Sequence, residues 1–154
     1  MGKKTEYIHY GATTLLPIKP IVNEAYFTKP KGGLWASPVN AKFGWDDWCR
    51  REHFRKNTKE NSFRFVLKDN ARIIHINSVA DLDALPKQKT DTDSILMCYL
   101  DFEKIEKDYD GVELHLSEEK FGDNDICSGL YFKLYGWDCD SIIIFHNDAI
   151  EVIS

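Results

Sequence analysis

The chain has 154 residues, a formal net charge of −5, 43% hydrophobic residues and 29% charged ones. That is the size and composition of one globular domain, which excludes disordered, collagen-like and low-complexity classes. The excess of acid runs against a general nucleic-acid binder, and no apolar run approaches the roughly 20 residues that span a bilayer.

The opening stretch MGKKTEYIHYG is basic but has no apolar centre, so no secretory signal is expected. Residues 6–10 read as a first strand, ended by Gly11. Residues 12–30 carry Pro17, Pro20 and Pro30, which block regular structure. Such a long connection in a small domain points to function. Gly32-Gly33 is a turn that feeds a strand over 34–37. Ser37-Pro38 has the chemistry of a helix start, and Ala41, Trp45, Trp48 and Cys49 then share a helical face. Gly44 interrupts that helix, and the acids Asp46-Asp47 offer a later start.

Residues 63–67 and 72–76, joined by Lys68-Asp69-Asn70-Ala71, predict a β-hairpin. Ser78, Asp81 and Pro86 bracket a short helix. Strands are expected at 95–99, 111–116, 130–134 and 141–145, with a last one at 149–153 and a helix at 102–109. The expected class is α+β: one domain over 1–154, built of two packed antiparallel-rich β-sheets (a split sandwich) with short flanking helices.

Cysteines 49, 98, 127 and 139 form no CxxC pair, and histidines 9, 53, 75, 115 and 146 complete no zinc-type spacing. No metal site is predicted. Without a signal segment the expected compartment is the cytoplasm, where these thiols stay free.

Four stretches could carry chemistry. His9 lies mid-strand, where a ring nitrogen could position a sugar hydroxyl or an amide, or serve one backbone partner. In Gly32-Gly33-Leu34-Trp35-Ala36-Ser37 the glycines permit close backbone approach, Trp35 offers a stacking face and Ser37 a hydroxyl. The alternative there is a turn, a core indole and a capping serine. Glu113 stands in an apolar strand, where burial would raise its pKa and suit it to act as a base or to hold a ribose hydroxyl. The other reading of Glu113 is an edge position facing water. Trp137, Asp138, Asp140 and Ser141 cluster before the most apolar strand, at a cleft mouth or in a strand-capping loop. Phosphate-loop, dinucleotide-fingerprint, zincin and nucleophile-elbow templates are all missing.

The order of these segments resembles the ADP-ribosyltransferase superfamily, whose split β-sandwich clamps NAD. Tyr7-Ile8-His9-Tyr10-Gly11 is similar to its first strand, where a His or Arg holds the ribose and amide. Leu34-Trp35-Ala36-Ser37 is similar to the strand that packs on nicotinamide, and residues 141–150 resemble its closing segment. Ser141 stands where that family has its catalytic Glu. The resemblance implies NAD as substrate, with His9, Glu113 and Asp140 as catalytic residues and Tyr10, Gly11, Trp35, Ser37 and Ser141 binding the cofactor. The RNA 2′-phosphotransferase branch is disfavoured, because the five arginines all fall between Arg50 and Arg72.

Three readings follow. The first is a mono-ADP-ribosyltransferase acting on a macromolecular target, in the manner of a toxin. The second is a catalytically inactive NAD or ADP-ribose binding module. The third is an acidic interaction or inhibitor protein, steered by the acidic stretch 91–125. A nucleic-acid partner would rest on the basic patch 50–59 and is less favoured; no membrane partner is expected.

Overall fold

The computed structural model describes residues 4–24, 27–88, 98–115, 133–134, 137 and 139–153. Seven strands share one sheet: β1 (Glu6–Tyr10), β2 (Leu34–Pro38), β3 (Ser62–Leu67), β4 (Ile73–Ile76), β5 (Gly111–Leu114), β6 (Ser141–Ile144) and β7 (Ile150–Val152). Their order is β4-β5-β6-β2-β1-β3-β7. Only the β4–β5 pair is parallel among these. A small, sheet-rich α+β domain is therefore present, but as one continuous mixed sheet instead of two packed sheets. The expected sandwich fails because β2 hydrogen-bonds to both halves and joins them.

The helices are short and locally encoded. α1 (Trp45–Glu52) starts at Trp45, close to the later of the two expected starts, with Asp46 and Asp47 in its first turn, and Asp47 Oδ2 accepts the Gly44 N–H at 2.9 Å. Pro38 ends β2 instead of opening a helix. α2 (Val79–Asp83) has Ser78 as its cap, accepting from the Asp81 N–H. α3 (Phe102–Asp108) is capped by Asp101, which accepts from the Lys104 N–H.

The expected hairpin over 63–76 does not form. β3 pairs with β1 and β7, and β4 pairs with β5 at the opposite margin of the sheet. The turn itself is present, with Ala71 N–H donating to the Lys68 carbonyl at 3.0 Å. Five strand spacings separate β3 from β4, about 24 Å in a flat sheet. The turned linker 68–72 cannot span that distance, since even fully extended it reaches only about 20 Å. The sheet must therefore curl until its margins approach. Ala71 and Ile73 pack with Phe63, Phe65 and Ile144 in the core enclosed by that curl.

β6 feeds both cores. Ile142 and Ile144 face the enclosed cluster, while Ile143 and Phe145 join Leu82, Phe102 and Trp137 on the other face. Burial on both faces explains why this segment is continuously apolar rather than alternating. Residues 12–30 hold only an isolated bridge, Val22↔Lys31, among those described, as the prolines predict. The strands expected at 95–99 and 130–134 fall largely outside the described residues, as do Asp138 and both ends of the acidic stretch 91–125.

Candidate functional site

β2 changes partner along its length. Leu34, Trp35 and Ala36 pair with Ile144, Ile143 and Ile142 of β6, whereas Ser37 and Pro38 pair with Ile8 and Tyr7 of β1. Beyond Ile8, β1 continues against β3 alone, and the sheet opens between β1 and β2. His9 stands in that opening, with its Nδ1 at 2.6 Å from the Trp35 carbonyl oxygen. A carbonyl only accepts, so Nδ1 carries a proton and donates. In the neutral ring Nε2 is then an acceptor. His9 thus stitches the two strands where their ladder ends, and its ring leans on Phe63 at 5.2 Å.

A cleft of about 220 Å³ occupies the opening. His9 and Tyr10 of β1, Trp35 and Ser37 of β2, and Ser141 of β6 all line it. Three indoles contribute walls: Trp35, Trp45 from α1, and Trp137. Trp137 meets Trp35 edge-on with ring centres 4.9 Å apart. Lys29 Nζ lies 4.9 Å from the Trp35 ring centre and 5.9 Å from that of Trp45. Lys29 and Arg55 line the cleft, and among the described residues no carboxylate does.

The hydroxyls differ in what they can offer. Burial, then the nearby Asp46 carboxylate, push the Tyr10 phenol above its usual range despite Arg50 and Arg64, so it stays a donor. Ser37 Oγ donates to the Asp140 carbonyl at 2.8 Å and accepts the Trp45 N–H at 2.9 Å. Ser37 therefore braces the cleft wall as it lines it. Ser141 Oγ donates to the Cys139 carbonyl at 3.2 Å.

The remaining expected site residues stand elsewhere. Gly11 adopts φ 117° and donates its N–H to Asn61, outside the cleft lining. Asp140 is buried and donates its N–H to Phe43, again without lining the cleft. Glu113 is buried in β5, not at a wet edge, and does not line this cleft. It accepts from the Tyr7 hydroxyl and lies 2.7 Å from His115 Nε2. Gly32 and Gly33 serve close approach, though to the chain itself. A Cβ on Gly32 would lie 2.1 Å from the Pro20 carbonyl oxygen, and one on Gly33 2.7 Å from Ile143.

No family model, curated protein or solved structure matches the chain. What the cleft takes must be argued from its own chemistry. Lys29 carries no local sequence signal, because a single cation on a loop is usually solvated, whereas Arg55 belongs to the basic patch 50–59. Trp45 was expected on the face of a helix, and the fold turns it into a wall.

Two other cations of the basic patch 50–59 are paired with acids. Arg50 pairs with Asp46 one turn earlier, and Arg51 pairs with Glu52. The described cysteines Cys49, Cys98 and Cys139 are buried thiols that form no disulfide. Among the described residues no helix is long and apolar enough to cross a membrane.

Proposed function

We propose that this cleft binds a nucleotide of the NAD or ADP-ribose class. One observation carries the reading: in a chain of net charge −5, a cleft walled by three indoles holds two cations and, among the described residues, no acid. Aromatic faces stack on a planar base or nicotinamide ring, and the cations suit phosphate. The volume of about 220 Å³ is below the roughly 300–1,000 Å³ that enclose whole ligands. It suits the ring-bearing end of a dinucleotide, with the remainder on open surface. In this reading His9 Nε2 accepts from a ribose hydroxyl, Tyr10 donates, and Trp35 packs on the ring.

A second reading, mono-ADP-ribosyl transfer from NAD to a macromolecular target in the cytoplasm, is favoured by a separate observation. His9, Trp35 with Ser37, and Ser141 come from three strands and line the same cleft, in the order that the resemblance implies. Transfer needs a carboxylate to steady positive charge on the ribose. Asp140, the neighbour of Ser141, is the acid closest in the chain, whereas Glu113 is engaged by Tyr7 and His115. A binding module is therefore the reading better supported.

NAD, ADP-ribose and nicotinamide are titrated against the chain at low salt, with tryptophan fluorescence and Tm as readouts. Binding predicts quenching and a raised Tm that Trp35→Ala and His9→Ala both weaken and added salt reduces. Release of nicotinamide separates transfer from binding alone. No Tm shift and no quenching at millimolar ligand would remove both readings.

A further inference from the structure

The margin of the sheet farthest from β7 carries a second constellation, none of whose members lines the cleft. His75 of β4 lies in register with Glu113 of β5. His115 follows Glu113 by two positions, so extended chain projects it from the same face. One ligand atom from each of the three residues lies within 4.8 Å of the others. The two imidazoles are nearly parallel, with ring centres 6.0 Å apart and planes at 20°.

We propose that His75, Glu113 and His115 form a binding site for a borderline first-row divalent cation, with Zn2+ as the natural occupant. Two imidazoles and one carboxylate are a ligand set that Zn2+ takes at about 2.0–2.2 Å per bond. In a tetrahedral shell such bonds hold donor atoms about 3.3 Å apart. The Glu113–His115 contact of 2.7 Å must then open slightly, with the cation replacing the shared proton. Glu113 arrives oriented: the Tyr7 hydroxyl donates to its Oε2, leaving Oε1 on the side of His115. A hydrogen bond of that kind to a ligating carboxylate holds its direction. Glu113 is buried and His75 is exposed, so the fourth position opens towards water. Such a cation would pin the parallel β4–β5 pair.

The chain is stripped with a chelator and titrated with Zn2+ and Co2+ at neutral pH. Calorimetry, visible absorption and Tm are the readouts. The expected result is one equivalent bound, with proton release, a raised Tm and Co2+ bands of a nitrogen and oxygen site without thiolate charge transfer. His75→Ala, at an exposed position, weakens binding by more than about a hundredfold with unchanged circular dichroism. His115→Ala does the same where it folds. No binding would overturn the proposal and leave a plain hydrogen-bonded chain from Tyr7 to His115. A thiolate band, or affinity unchanged in His75→Ala, would overturn it by placing the cation elsewhere.

Discussion

Tyr7 on β1 donates its phenolic hydrogen to Glu113 on β5, across the two strands β2 and β6. Three strand spacings are about 14 Å, and side chains standing off a flat sheet would not meet over that distance. The curl of the sheet makes the bond, and the bond in turn fastens the curl. Burial, then the Glu113 charge, push the Tyr7 phenol far above its usual range, so the proton stays on oxygen. Tyr7→Phe removes this donor from a buried carboxylate. A loss of about 1.5–3 kcal/mol is expected in urea unfolding. An unchanged midpoint would show that the bond contributes nothing net.

Gly32 holds φ 80° beneath the Pro20 carbonyl. Gly32→Ala adds both a left-handed strain of about 1–2 kcal/mol and a clash with backbone that cannot swing aside. A marked fall in Tm is expected. Gly11→Ala, whose nearest neighbour would be His9 at 3.9 Å, keeps only the strain and falls less.

Ser37→Ala orphans the Trp45 N–H and frees the Asp140 carbonyl, both at the cleft wall. A stability loss of about 1–3 kcal/mol is expected by chemical denaturation. Ser37→Thr preserves the hydroxyl and should recover part of it. Because Trp45 is positioned by the same bond, nucleotide-induced quenching should weaken together with stability.

His146 joins α3 to the end of β6, with Nδ1 at 2.8 Å from Asp110 and Nε2 at 2.9 Å from Glu106. Burial lowers its pKa, but the two carboxylates outweigh burial and raise it. Its stabilisation is full below the unfolded value near about 6.5 and fades as pH rises through the raised folded value. Asp110 behaves oppositely. Burial raises its pKa, while the Arg72 N–H and His146 more than offset this and lower it. Its contribution is full above about 3.9 and fades as pH falls through the folded value. Tm against pH should therefore decline on both sides, and His146→Gln should flatten the alkaline decline. An alkaline limb identical in His146→Gln would disprove the assignment.

What could be read from the chain follows from how local each signal is. The Ser78 cap, the acids Asp46-Asp47 in a helix first turn and the apolar run of β6 after Ser141 depend on neighbours a few positions away, and each is present in the fold. The pairing of β3 and β4 was misread because turn chemistry at 68–71 says nothing about which strands the two runs prefer. The meeting of His9, Trp35 and Ser141 follows the order of three segments along the chain. Lys29 reaches the same cleft from a loop that no pattern marks, and the basic patch 50–59 does not show that Arg55 turns into it. The His75, Glu113 and His115 group shows no zinc-type spacing in the chain for a related reason. Its first two members are matched by parallel register, not by sequence distance.

The late position of β6 in the chain shapes how the molecule is made. β2 and β5 flank it in the sheet, yet both emerge from the ribosome earlier. Until residues 141–144 arrive, each presents an open row of amide and carbonyl groups to other nascent chains. Translation stalled before that point should yield insoluble product, and such intermediates should be the ones that engage chaperones.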